Sequence, residues 1–181
     1  MKKPGPELIK PTADLKEAYL DFLREFRQAG EKIIHGGGPL RTADTEDFDI
    51  LMQRERDYAA GVNLPEDQVP SATYWLMQDG RILGTCNLRH RLNDRLRLAG
   101  GHVGYAVRPS ERNKGYATAI LRLALAKARE LGMDRVLVTC DKDNPASARV
   151  IRKCGGALEG EGPNPQDGTV QQRYWIDLGT T

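Results

Sequence analysis

No stretch of this sequence stays apolar for the roughly 20 residues that a bilayer-spanning helix needs. The basic start, MKKPGPELIK, leads into no apolar segment of the kind a signal peptide carries. Arginine-rich tracts and basic runs are also missing. With 27 Lys and Arg against 25 Asp and Glu, the net charge is only +2, so neither a nucleic-acid partner nor a membrane partner is indicated. Cysteine is scarce: Cys86, Cys140 and Cys154 are odd in number, widely spaced and form no CxxC. They read as reduced, buried thiols in a cytoplasmic protein, with neither a disulfide framework nor a metal site. Internal repeats and low-complexity tails are absent. What remains, 181 residues of which 39% are hydrophobic and 29% charged, fits one domain with a real core and is short for two.

Periodicity places the elements. After a start punctuated by Pro4, Pro6 and Pro11, Asp14 is in position to cap a helix running to about Gln28. Its apolar face is Leu15, Ala18, Tyr19, Phe22, Leu23 and Phe26, and Gly30 closes it. Residues 35–43, HGGGPLRTA, read as a flexible glycine-rich loop, either a mobile lid or, preferably, a linker. A second helix is predicted from about Thr45 to Ala60, capped by Asp44 or Thr45, with Phe48, Leu51, Met52, Glu55 and Tyr58 along one side. The period then becomes two. Thr73–Gln78 and Arg81–His90 flank Asp79-Gly80, a strong hairpin signal. A strand at His102–Val107 follows the loop RLNDRLRLAGG. Beyond it come a helix (115–131), a strand (135–140), a helix (144–154) and strands at 157–160 and 171–178. Antiparallel strands followed by a βαβ-like section indicate a mixed α/β sheet with helices on both faces.

The stretch that carries chemistry is HVGYAVRPSERNKGYATA, residues 102–119. It reads as a strand, a basic turn and the start of an amphipathic helix with Ile120, Leu121, Ala124, Leu125, Ala128 and Leu131 on one face. A helix N-terminus presents unpaired N–H groups and a partial positive charge. Gly115 admits close approach to the backbone, and Arg108, Arg112 and Lys114 add positive potential. The combination suits a phosphate or pyrophosphate, although a solvated turn capped by glycine has the same residues. There is no GxxxxGK[ST], so it is not a P-loop.

Arg112-Asn113-Lys114-Gly115-Tyr116-Ala117 resembles the [Q/R]-x-x-G-x-[G/A] signature of the GNAT superfamily of acyl-CoA N-acyltransferases. VGYAVRPSE resembles that family's fourth strand, and VLVTCDKDNPASARVIRKCGG its fifth strand and following helix, with Asn144 and Ser147 at the N-x-x-[S/A] positions. The likeness is to a bacterial group of predicted acetyltransferases. It implies a single domain over 1–181, with acceptor-side helices over about 1–70 and the sheet and coenzyme-binding core over about 72–178. The sheet would be twisted, mostly antiparallel and splayed between its central strands.

The implied function is transfer of an acetyl group from acetyl-CoA to an amine of a small molecule or peptide, by direct attack in a ternary complex. An acyl-CoA-binding sensor of the same fold, or a general anion-binding α/β domain, is the alternative. By the same resemblance, N–H groups from Asn113 to Thr118 bind the coenzyme's pyrophosphate with Arg112 and Lys114 beside it. Ala106, Val107 and Arg108 hold the pantetheine arm by their main chain, and Asn144 contacts the coenzyme or caps its helix. The family's usual catalytic residues are replaced. His102 stands nearest the position of the general base, and Ile151 occupies the place of the thiolate-protonating tyrosine, which leaves Tyr174 as a substitute acid. Tyr105 alternates onto the face opposite His102. Asp141, Asp143, Glu159 and Glu161 are candidates to attract a cationic amine, and a homodimer is compatible with the family.

Overall fold

Asp79 and Gly80 make the turn the sequence predicts. Both have positive φ (49° and 76°), as a type I′ hairpin requires, and Gln78 faces Arg81 across it. The computed structural model describes residues 5–41 and 47–179. The turn joins β2 (Ser71–Gln78) to β3 (Arg81–Arg89). With β1 (Glu7–Ile9) and β4 (Val103–Val107) they form an antiparallel sheet of order β1-β2-β3-β4. A second antiparallel sheet has the order β5-β7-β6, from β5 (Arg135–Asp141), β6 (Ala157–Pro163) and β7 (Val170–Asp177).

Helices cover both faces of the first sheet because alternate residues of β2 need burial on both sides. Trp75 and Met77 point to a cluster with Tyr19, Phe22, Leu23 and Phe26 of α1 (Lys16–Gln28) and with Phe48, Leu51 and Met52 of α2 (Phe48–Ala60). Tyr19 stacks on Trp75 with ring centroids 5.2 Å apart, a contact worth about 1 kcal/mol beyond its area. Ala72, Tyr74 and Leu76 face the opposite cluster, where α4 (Tyr116–Glu130) packs Ile120, Leu121, Ala124, Leu125 and Ala128. α5 (Pro145–Lys153) adds Ala148 and Ile151 to that core.

Several local expectations need correction. Asp14 lies in a 3-10 turn (Ala13–Leu15), and no side chain caps α1. The proposed caps Asp44 and Thr45 lie outside the described residues; Asp47 caps α2 by accepting from the Asp49 N–H (2.9 Å). Inside the loop RLNDRLRLAGG sits a short helix, α3 (Asp94–Leu98), capped by the Asn93 side chain on the Leu96 N–H (2.9 Å). Leu131 is half exposed and lies beyond α4. β1 was not predicted, since three residues between prolines show no period.

Candidate active site

β4 ends one sheet and β5 ends the other, so each strand has an unpaired edge. The two edges face a cleft of about 810 Å³, lined by Gly104–Val107 on one side and Thr139–Asp141 on the other. No ladder joins these strands among the described residues. They are pinned at one end instead. The His102 N–H donates to Leu137 O (2.7 Å), and the Leu137 N–H donates to His102 Nδ1 (2.9 Å). Beside them, the Gly100 N–H donates to Thr139 Oγ1 (2.9 Å). Burial, with the charges of Arg89 and Arg97, pushes the His102 pKa down to about 4, which leaves Nδ1 without a proton and able to accept.

At the other end the chain passes through a 3-10 turn (Pro109–Glu111) and enters α4 at Gly115. Asn113 and Gly115 both have positive φ (62° and 87°), conformations that Asn tolerates and Gly adopts freely. As a result the N–H groups from Asn113 to Thr118 have no acceptor among the described residues. All of these residues except Lys114 line the cleft. A Cβ on Gly115 would meet no atom, so the backbone there opens onto free space. Consecutive free donors at the positive end of a 15-residue helix can hold a cluster of anionic oxygens.

The walls between these ends are polar and mostly engaged. Arg112 makes a two-pronged pair with Glu31 (2.8 and 2.9 Å) and donates Nε to Val107 O (3.3 Å). The Tyr105 hydroxyl lies 2.8 Å from Ser147 Oγ, linking β4 to α5. Burial pushes that phenol up to about 12. Asn144 Oδ1 accepts from the Ser147 N–H (3.1 Å) and so caps α5. Cys140 also lines the cleft, with its thiol pKa raised by burial.

The loop at 35–38 is docked on β4. A Cβ at Gly36, whose φ is 72°, would overlap the Gly104 carbonyl, and Thr85 Oγ1 donates to Gly36 O (3.2 Å). Glycine is needed for this approach, which replaces the expected flexible linker and carries His35 to the cleft.

A family model for an acetyltransferase (GNAT) domain matches residues 10–157 of the chain. The chain belongs to the GNAT acetyltransferase family. A curated relative named Uncharacterized N-acetyltransferase YnaD, from Bacillus subtilis (strain 168), is 34% identical over 59 residues; the match spans 32% of this chain and 35% of that protein. Solved structures share the fold along nearly the whole length. The putative acetyltransferase yncA of Salmonella typhimurium, with its cofactor acetyl-CoA, has a TM-score of 0.64 at 16% identity, covering 98% of this chain and 96% of that one. The microcin C7 self-immunity acetyltransferase MccE, in complex with acetyl-CoA and AMP, gives 0.67 at 16% identity over 94% and 91%. A SpeG spermidine N-acetyltransferase chimera from Vibrio cholerae and hSSAT gives 0.63 at 14% identity over 97% and 96%. At such identities the likeness is one of fold.

Within the GNAT frame, Ala106, Val107, Arg112, Asn113, Gly115, Tyr116, Ala117, Thr118, Asn144 and Ser147 all line the cleft. Arg108, Lys114, His102 and Tyr174 do not. Arg108, 2% exposed, turns its guanidinium onto Asp21, Glu25 (Nε–Oε1 2.6 Å) and Ile82 O (3.2 Å) of the opposite side. Partial burial pushes Glu25 up, but hydrogen bonds from Arg108 and Ser110 win and hold it at about 2. Lys114 pairs with Glu111 (3.0 Å).

His102 belongs to the pin, where Leu137 occupies its Nδ1. Tyr174 is buried in the core and donates to Gln172 Oε1 (2.8 Å), away from the cleft. Three of the four acidic candidates are engaged, Glu159 by Arg173 and Trp175, Glu161 by Lys142 and Gln172, and Asp141 by Gln171, and the fourth, Asp143, is exposed and does not line the cleft. The sequence reading missed Arg89, Glu31 and Thr139 as lining groups. It did hold the signal for Tyr105, since strand alternation sets that residue opposite His102.

Proposed function

We propose that this chain is an acetyl-CoA-dependent N-acetyltransferase acting on an amine of a small molecule or peptide by direct attack in a ternary complex. The observation that carries the reading is the run of unpaired N–H groups from Asn113 to Thr118 at the mouth of a slot between two strand edges. A pyrophosphate suits the donors, and an amide-bearing arm suits the edges. Acetyl-CoA supplies the acetyl group as a thioester. The main chain of Ala106 and Val107 holds the arm as an added strand. Tyr105, whose high pKa keeps its proton at neutral pH, stands where a leaving thiolate can take that proton. His35, the imidazole lining the cleft among the described residues, accepts the amine's proton, so His35 and Tyr105 take the roles first considered for His102 and Tyr174.

Calorimetry with coenzyme A tests the binding half of the reading. Gly115→Glu puts bulk and negative charge into the open space at the donors, and it should weaken coenzyme affinity at least tenfold. Unchanged affinity would show that the pyrophosphate does not sit there. Ile151 at the family's tyrosine position favours a second reading, a module that binds acyl-CoA without turnover. Thiol release across a panel of amines separates the two, because binding without release on any acceptor supports the module.

A further inference from the structure

Arg89 has no job in the proposed coenzyme site, yet it lines the same cleft. It lies at the pinned end, farthest from Asn113–Thr118. There its Nη1 donates to the carbonyls of Gly100 (2.9 Å) and Gly101 (3.0 Å). Among the described residues no carboxylate pairs with it, and no acceptor takes Nε or Nη2. Neither atom is sealed in, since Arg95 Nε is the buried, unpartnered side-chain nitrogen of this region. Every carboxylate lining the cleft is engaged elsewhere: Glu31 by Arg112, Glu111 by Arg81 and Lys114, and Asp141 by Gln171. The inner end therefore holds a guanidinium with no counter-ion, and Arg95, Arg41 and Arg97 add further positive charge around it. Burial, followed by the charges of Arg95 and Arg41, lowers its pKa to about 10, which leaves it charged at neutral pH and lacking a counter-ion.

We infer that the acceptor is a small amine that also carries a carboxylate, of the amino-acid class, and that Arg89 is the residue that anchors this carboxylate. The inference rests on the acetyltransferase reading. If the pyrophosphate lies at Asn113–Thr118 and the arm follows Val107 towards Tyr105, the acetyl group ends beside Gly104, and the acceptor must come from the Arg89 side. The remaining Nε and Nη2 edge of a guanidinium is a fork matched to the two oxygens of one carboxylate. In an α-amino acid the amine sits one carbon from the anchored group, so fixing the carboxylate also positions the nucleophile. A polyamine would bring positive charge to an end that already holds an unpaired arginine.

The test needs no turnover. N-acetylglycine and N-acetyl-L-methionine, as products of the inferred reaction, are titrated calorimetrically into the coenzyme A-saturated protein beside their carboxamides and N-acetyl-phosphoethanolamine. We expect the acids to bind about 10–100-fold tighter than the carboxamides, the range for a lost charge-assisted pair, and tighter than the phosphate ester. Arg89→Gln should abolish the preference while leaving coenzyme A affinity and carboxamide binding unchanged. Equal binding of acid and amide overturns the assignment, as does failure of both to bind, preference for the phosphate ester, or an Arg89→Gln protein that keeps the preference. Should Arg89→Gln loosen the Gly100–Gly101 turn, the wild-type comparison of acid with amide still decides. Failure of coenzyme A itself to bind takes down the acetyltransferase reading; intact coenzyme binding without acid preference removes only the role of Arg89.

Discussion

Replacing His102 by Asn probes the pin between the two sheets. An Asn Oδ1 can accept the Leu137 N–H as Nδ1 does, but it has no proton to titrate. In the wild type, burial together with Arg89 and Arg97 holds the imidazole at about 4, against an ordinary 6.5. At 1.36 kcal/mol per pH unit that gap is worth about 3 kcal/mol of stability. Above pH 6.5 neither state binds the proton, and the contribution is complete. As pH falls from 6.5 towards 4 the unfolded chain takes up a proton that the fold refuses, so stability is lost.

Glu55 works in the opposite sense over an overlapping window. It is buried under α2 with the Thr73 N–H and Oγ1 as partners (2.6 and 2.7 Å), and burial raises its pKa to about 7. Its contribution is complete below the ordinary 4.5 and fades as pH rises to 7. The two slopes offset each other, so a wild-type curve alone would hide both. The informative quantity is the difference between wild type and His102→Asn in urea unfolding, followed by far-UV circular dichroism from pH 8 to pH 4. That difference should move against the wild type by about 3 kcal/mol on acidification. A difference independent of pH would refute the claim that the fold holds His102 neutral.

Glu55→Gln should show the mirror image, with wild type losing up to about 3 kcal/mol relative to the variant between pH 4.5 and 7; a flat difference there would exclude a protonated Glu55. Arg108→Met removes the buried fork and leaves Glu25 and Asp21 facing an apolar group. Because both carboxylates keep some solvent, the expected loss is about 2 kcal/mol in urea unfolding, below that of a sealed pair, and a neutral result would mean the fork contributes nothing net. Gly36→Ala forces a side chain at positive φ into the Gly104 carbonyl. It should cost about 1–3 kcal/mol and reduce turnover, and unchanged stability would show that the loop is not docked.

The elements whose signal is local were legible. The Asp79-Gly80 hairpin and the apolar faces of α1 and α4 follow from residues within a few positions of one another. The backbone of the Arg112–Thr118 loop was also readable, because Gly115 and the helix start determine its conformation locally. What could not be read were the directions of long charged side chains. Arg108 and Arg112 are four residues apart on the same turn, yet α1 offers Asp21 and Glu25 to the first while the second stays at the cleft. His102 looked like a base because an imidazole at a strand end has that chemistry; its assignment to the Leu137 N–H depends on a strand over thirty residues away. Arg89 became visible only when the Gly100–Gly101 turn and the neighbouring carboxylates were in place.

The pin at His102 and Leu137 also has a consequence for solubility. β4 and β5 each leave an unpaired sheet edge, and exposed edges invite pairing with strands of other molecules. Here the two rows of donors and acceptors face a recess closed at one end by the pin, with the Gly36 loop docked on β4 beside it. A slender chain can enter, but a broad sheet from another protein cannot. An occupant that completes this recess also stabilises the fold by mass action, about 2.7 kcal/mol at a hundred times its dissociation constant. If the coenzyme of the proposed function fills this gap, resistance to aggregation rises with its concentration.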